Sequence, residues 1–263
     1  MIGEAGRLDG GNKRAFGLAL AAVLWLSSAA TPVEAGDSTK VVLFFGDSLT
    51  SGYGIGQKQA YPALLQTRVD SLGWDVEMVN SGLSGETSSA GLGRIDWVLR
   101  RRIDVFVLEL GANDGLRGHP LEHTEKTLQQ ILDRVRATYP EAAQVVAGMQ
   151  LPPNLGPYAE DFRAIYPRLA ERNDAVLIPF LLEGVGGVPE LMRGDGIHPT
   201  AEGQRVVADV VWKYLEPVLA ELLDNEVSVG LPQDLERRGS VDAATAGQAD
   251  ADGQQGDADE RDQ

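Results

Sequence analysis

The sequence predicts one α/β domain in which helices cover both faces of a five-stranded parallel sheet, a three-layer α/β/α sandwich. Short runs rich in Val, Leu, Ile and Phe alternate along the chain with longer segments of helical periodicity, which is typical of βαβ units. Each apolar run ends at Gly, Pro, Asn or Asp, as strands do where they leave a sheet. With 263 residues and 43% hydrophobic content, the chain can bury a large core, and it contains no cysteine for disulfides or thiolate sites.

The apolar runs and the periodic segments give five strands and five helices. The strands are expected at 41–46, 75–80, 105–110, 144–150 and 175–179. The helices are expected at 61–72, 85–101, 121–139, 158–173 and 200–223. The third helix is the clearest, because Leu128, Ile131, Leu132 and Val135 recur at three- and four-residue steps while charged residues occupy the opposite face.

The first 35 residues have the layout of a secretory signal peptide. Lys13 and Arg14 precede an apolar run over 15–30, and small residues follow it. A run of this length is shorter than the ~20 residues that a membrane-spanning helix needs. We therefore expect cleavage after Ala35 or Ala30, a periplasmic or secreted mature protein, and no stable membrane anchor.

The C-terminal segment 225–263 differs in composition from the domain, which is expected to span 36–224. It contains ten acidic residues and three arginines and is poor in aromatic residues, so we expect a disordered acidic tail. The whole chain has a formal net charge of −16, and residues 36–224 keep −9 of it. An acidic body argues against nucleic acid as a partner. A monomer is assumed by default.

The first predicted strand delivers a serine to the edge of the sheet where ligands bind. Ser48 follows Gly46 and Asp47 at the carboxyl end of that strand. A nucleophilic serine needs a base and a group that orients the base. His198 precedes the last helix and can serve as the base, and Asp195 can hold its imidazole. Taken alone, the serine is also typical of a helix cap, and the Asp195 segment of a helix-entry loop.

Four segments occur in the order found in the SGNH/GDSL hydrolases, which the chain resembles. They are Gly46-Asp47-Ser48-Leu49-Thr50, Asn80-Ser81-Gly82, Gly111-Ala112-Asn113-Asp114 and Asp195-Gly196-Ile197-His198-Pro199. The resemblance implies a flavodoxin-like sheet and a catalytic triad of Ser48, Asp195 and His198. It also implies an oxyanion hole formed by the N–H groups of Ser48 and Gly82 and the side-chain amide of Asn113. The similarity is greatest to secreted bacterial members that act on acyl-CoA thioesters, lysophospholipids and aryl esters.

Apolar residues near these segments indicate a substrate with an apolar acyl or aryl group. The candidate contact residues are Leu83, Leu116, Leu151, Leu155 and Ile197. His119 and His123 have the spacing of a pair on one helix face, but Pro120 falls between them and no third ligand is evident, so surface histidines are favoured over a metal site and no cofactor is expected.

These features together predict a serine esterase that hydrolyses acyl esters and thioesters through an acyl-enzyme. The sequence leaves three alternatives open: a carbohydrate O-deacetylase on the same scaffold, a metal-dependent phosphodiesterase, and an envelope binding protein without catalytic activity. Each alternative differs in substrate, in sensitivity to chelators, or in whether Ser48 reacts.

Overall fold

A computed structural model describes residues 39–230, with side chains as far as residue 224. The predicted signal peptide and residues 231–263 of the predicted tail lie outside the described residues. Five parallel strands form one sheet in the order β2-β1-β3-β4-β5, which is the flavodoxin-like order. The strands are β1 (Lys40–Gly46), β2 (Val76–Asn80), β3 (Val105–Glu109), β4 (Ala143–Ala147) and β5 (Val176–Ile178). The predicted fold class is confirmed.

Helices connect the strands and pack in two groups. The described helices are α1 (Ser48–Ser51), α2 (Tyr61–Leu72), α3 (Ser88–Val98), α4 (Ala112–Leu116), α5 (Leu121–Thr138), α6 (Pro157–Arg163), α7 (Ile165–Asn173) and α8 (Ala201–Gly230). Helix α2 packs against α8, whereas α3 and α7 both pack against α5. Short 3₁₀ turns occur at Gln57–Gln59 and Pro153–Leu155. Within residues 39–230, no helix has both the length and the apolar character needed to cross a bilayer.

The central strands are buried on both faces, which explains their continuous apolar sequence. Every residue of β1 and of β3 is buried. The Phe44 ring contacts Tyr61 of α2, with centroids 5.4 Å apart, whereas Phe45 lies next to Gly91 of α3. Since successive strand residues point to opposite faces, the two groups of helices cover opposite faces of the sheet.

Several predicted boundaries differ from the structure. The helix predicted at 158–173 is divided into α6 and α7, because Pro167 has no N–H to bond the carbonyl of Arg163 four residues earlier. Regular strand β4 ends at Ala147 and not at residue 150. Helix α8 continues to Gly230, beyond residue 223 where the last predicted helix ends.

Candidate active site

The nucleophile candidate lies directly after β1. In the sheet, β2 lies on one side of β1 and β3 lies on the other. Ser48 is the first residue of α1, and the carboxylate of Asp47 caps this helix by accepting from the N–H of Leu49 at 3.0 Å. A first helical residue has no partner for its own N–H within the helix. The backbone N–H of Ser48 is therefore positioned to bind an external oxygen at the carboxyl edge of the sheet.

A continuous hydrogen-bonded chain joins the three residues of the predicted triad. His198 Nε2 lies 2.9 Å from Ser48 Oγ, and His198 Nδ1 lies 2.9 Å from Asp195 Oδ2. Asp195 also accepts the backbone N–H groups of His198 and Ile197 at 3.0 and 2.9 Å. These hydrogen bonds, that of the His198 backbone foremost, hold the pKa of the Asp195 carboxyl well below its usual range. An ionised Asp195 favours the tautomer in which Nε2 can accept the serine proton.

Two contacts hold the loop that carries His198 against the loop that follows α1. The Tyr53 ring lies 4.7 Å from the imidazole of His198, measured between centroids. The guanidinium of Arg193 donates to the carbonyl of Gly54, and the Arg193 N–H donates to the carbonyl of His198 at 2.7 Å. These contacts join segments far apart in the chain, so no local sequence pattern indicates them.

The side-chain amide of Asn113 is oriented by a buried carboxylate. Asn113 lies in α4, and its Nδ2 donates to Asp47 Oδ2 at 2.9 Å. Burial raises the pKa of Asp47 to about 6, although hydrogen bonds from Leu49 and Asn113 oppose the shift. Asp47 is thus largely ionised at neutral pH and is a strong acceptor. It engages one Nδ2 hydrogen, which leaves the second for a ligand atom beside Ser48.

Gly82 does not present a free donor, contrary to the role that the resemblance implied. Its N–H donates to Asn80 Oδ1 at 2.9 Å. A Cβ on Gly82 would overlap the backbone N of Ser51 and lie 2.8 Å from the carbonyl carbon of Thr50. The residue is a glycine because the loop after β2 crosses α1 at backbone contact. The pattern that suggested an oxyanion donor therefore reflects close packing.

Gly85, which sequence reasoning missed, has the free N–H that Gly82 lacks. It has a φ of 78° in a turn closed by the hydrogen bond from Glu86 N to Leu83 O at 3.1 Å. Its carbonyl accepts from Arg117 Nη2 at 3.0 Å, and the same nitrogen lies 3.5 Å from Asn113 Oδ1. Among the described residues, the Gly85 N–H has no hydrogen-bond partner. Gly85 is thereby placed beside the Asn113 amide.

A mostly apolar cleft of about 480 Å³ opens next to these groups. Three of the candidate contact residues line it: Leu116, Leu151 and Ile197. Leu83 and Leu155 do not line it and are instead 53% and 40% exposed. The sequence analysis missed further lining residues, among them Leu49, Ala112, Met149, Phe180, Leu182 and Met192. Several of these follow β4 and β5, whose ends share the same edge of the sheet.

The remaining polar residues near the site make structural contacts. Asp114 accepts from the N–H and the hydroxyl of Ser88 at 2.8 and 2.7 Å, which ties α4 to the start of α3. His119 Nδ1 lies 3.5 Å from Asp114 Oδ1, and His123 Nε2 lies 3.0 Å from Ser89 Oγ. In the part of the chain that the structure describes, no group of three or more His, Asp or Glu side chains is placed to hold a metal ion.

Comparison with known proteins gives consistent matches. The chain is 40% identical over 185 residues to the esterase TesA of Pseudomonas aeruginosa, covering 69% of this chain and 90% of that protein. It is 42% identical over 180 residues to thioesterase 1/protease 1/lysophospholipase L1 of Escherichia coli K12, covering 68% and 84%. The crystal structure of TesA superposes with a TM-score of 0.65 at 39% identity, covering 68% of this chain and 99% of that one. Residues 44–206 match the model of the GDSL-like lipase/acylhydrolase family, and the chain belongs to that family.

Proposed function

We propose that this serine hydrolase cleaves carboxylic esters and thioesters with an apolar acyl or aryl group, through an acyl-enzyme on Ser48. The observation that carries the proposal is the chain from Asp195 through His198 to Ser48, in which both side-chain distances are 2.9 Å. The names of the relatives, an esterase and a thioesterase/lysophospholipase, support the same bond types.

In the first half of the reaction, Ser48 Oγ attacks the carbonyl carbon while His198 Nε2 takes its proton. The tetrahedral intermediate collapses, the bond to the leaving oxygen or sulfur breaks, and the imidazolium returns the proton to the leaving group. Water then attacks the acyl-enzyme with His198 again as base, which releases the carboxylic acid and regenerates Ser48. Asp195 stays ionised throughout and stabilises the imidazolium.

Three hydrogen-bond donors are proposed to hold the oxyanion of the tetrahedral intermediate. They are the backbone N–H of Ser48, the second Nδ2 hydrogen of Asn113, and the N–H of Gly85 in place of Gly82. Gly85 and Asn113 both contact Arg117, and this proximity supports assigning the donor role to Gly85 and not to Gly82.

The apolar cleft is proposed to take the acyl or aryl group. Leu49 and Ala112 lie next to the nucleophile and the Asn113 amide, so a chain attached to Ser48 enters the cleft from that end. Leu116 and Ile197 form part of its walls. We further propose that the mature protein acts outside the cytoplasm after removal of residues 1–35, because the charged and then apolar start of the chain favours export.

The proposal is tested by steady-state hydrolysis of p-nitrophenyl esters of two to twelve carbons, acyl-CoA thioesters and O-acetylated sugars. We expect medium acyl chains to be cleaved fastest and Ser48→Ala to lower kcat by at least about 10³-fold. Ser71→Ala, on the exposed face of α2, is the matched control and should match the wild type. Faster cleavage of acetylated sugars would favour the deacetylase, and inactivation by EDTA would favour metal-dependent chemistry.

A further inference from the structure

The proposed mechanism does not use Glu109, although this residue is completely buried directly beneath the nucleophile turn. Glu109 is the last residue of β3. Its Oε2 accepts the backbone N–H of Asp47 at 3.1 Å and the hydroxyl of Thr50 at 2.7 Å. Its Oε1 is buried and has no hydrogen-bond partner among the described residues. Both donors belong to the short segment that carries Ser48.

The carboxyl group of Glu109 occupies the space that a side chain at residue 46 would need. A Cβ on Gly46 would overlap both Glu109 Oε2 and Thr50 Oγ1. The Thr50 hydroxyl also lies 2.8 Å from the hydroxyl of Tyr61, which connects this point to α2. The turn between β1 and α1 therefore packs directly on the Glu109 carboxyl group. It contacts this group through Asp47 before Ser48 and through Thr50 after it.

The groups around Glu109 provide no compensating positive charge. The ionisable groups that interact electrostatically with Glu109 include Asp47, Tyr61 and Tyr166, and within the described residues Glu109 forms no ion pair with a Lys, Arg or His side chain. Burial foremost, and then the Asp47 charge, raise the pKa of Glu109 well above its usual range.

We propose that Glu109 is a positioning residue, an uncharged acceptor that fixes the turn carrying Ser48 and, through Asp47, the amide of Asn113. The inference rests on the proposed function, because it concerns the geometry of that serine and that amide. An acceptor of the right shape is required here, and a negative charge is not.

Two substitutions test separately whether the side chain at position 109 must accept hydrogen bonds, carry a charge or only fill the space. Glu109→Gln keeps a carbonyl acceptor for Asp47 and Thr50, so we expect kcat within about threefold of the wild type. Glu109→Met fills similar space without an acceptor, which leaves the buried N–H of Asp47 unpaired and leaves the Thr50 hydroxyl with only Tyr61 as a partner. We expect kcat to fall by about 10- to 100-fold with KM nearly unchanged. Equal activity of the Met variant would overturn the proposal.

The pH profile of kcat/KM reports whether Glu109 carries charge. If Glu109 is neutral, Glu109→Gln leaves the acid limb of the profile in place. A displacement of that limb by more than about half a pH unit would show that an ionised Glu109 acts on the base, and would overturn the proposal.

The stability of the Gln variant tests the same point without requiring the Met variant to fold. A carboxyl with a raised pKa keeps its proton in the native protein, whereas the unfolded chain releases it, so the unfolding free energy falls as pH rises. Between pH 5 and 8, urea titrations should show the wild type losing stability relative to Glu109→Gln, with exposed Glu141→Gln following the wild type. Parallel behaviour of all three would contradict a neutral Glu109. If the wild type itself hydrolyses no ester, the esterase proposal fails, and this outcome is distinct from any difference between the Glu109 variants.

Discussion

The amide of Asn113 contributes to the site only in the orientation that its two neighbours give it. Asp47 accepts one of its amide hydrogens, and Arg117 approaches its oxygen. Asn113→Ala removes the free amide N–H, whose hydrogen bond to the substrate oxygen strengthens as the oxyanion forms. We expect kcat to fall by about 10²- to 10³-fold with little change in KM. Asn154→Ala, at an exposed position, is the control in the same kinetic assay, and an equal loss in both variants would contradict the assigned role.

The protonation of His198 sets the expected pH dependence of the reaction. The proposed base must be neutral to accept the serine proton, so kcat/KM should decrease toward acidic pH as the imidazole becomes protonated. The lowered pKa of Asp195 means that its favourable contacts persist until far lower pH, so Asp195 does not set this limb. A rate profile that stays flat down to pH 4 would exclude His198 as the base.

At the scale of elements, the contact between the loop after β2 and helix α1 holds the nucleophile segment from one side. Gly82→Ala forces the two backbones apart, because the new Cβ overlaps Ser51. We expect this variant to lose stability and kcat together. Gly93→Ala, at an exposed position inside α3 with nothing within 4 Å, should instead gain about 0.5–1 kcal/mol. Chemical denaturation and ester hydrolysis on both variants test the contrast, and a stable, fully active Gly82→Ala would refute it.

The elements also show which parts of the structure can be predicted from the sequence. Strand β1 was predicted because its buried residues 41–45 form a continuous apolar run, and Ser48, Asp195 and His198 were identified as candidates because their residue types and order are distinctive. Gly82 was misassigned because a glycine needed for close packing has the same sequence pattern as a glycine that exposes its N–H. The positions of Glu109 and Gly85 became evident only from contacts between distant segments.

At the scale of the whole molecule, parallel strands bring the ends of distant segments to one edge. Ser48 follows β1, Gly85 follows β2, Asn113 follows β3, and His198 precedes α8. All of these residues and the cleft lie within residues 39–230. A chain that ends at residue 230 should therefore keep kcat/KM within about twofold of the full-length protein. A tenfold loss in the same p-nitrophenyl ester assay would show that residues 231–263 take part in the site.

Covalent labelling tests the central claim, that Ser48 is a nucleophile activated by His198. The full-length protein is incubated with a fluorophosphonate, and the modified residue is located by mass spectrometry of its peptides. The account predicts one adduct on Ser48, no adduct in Ser48→Ala, and much slower labelling in His198→Ala. Labelling at another residue, or equal labelling of the wild type and Ser48→Ala, would contradict it.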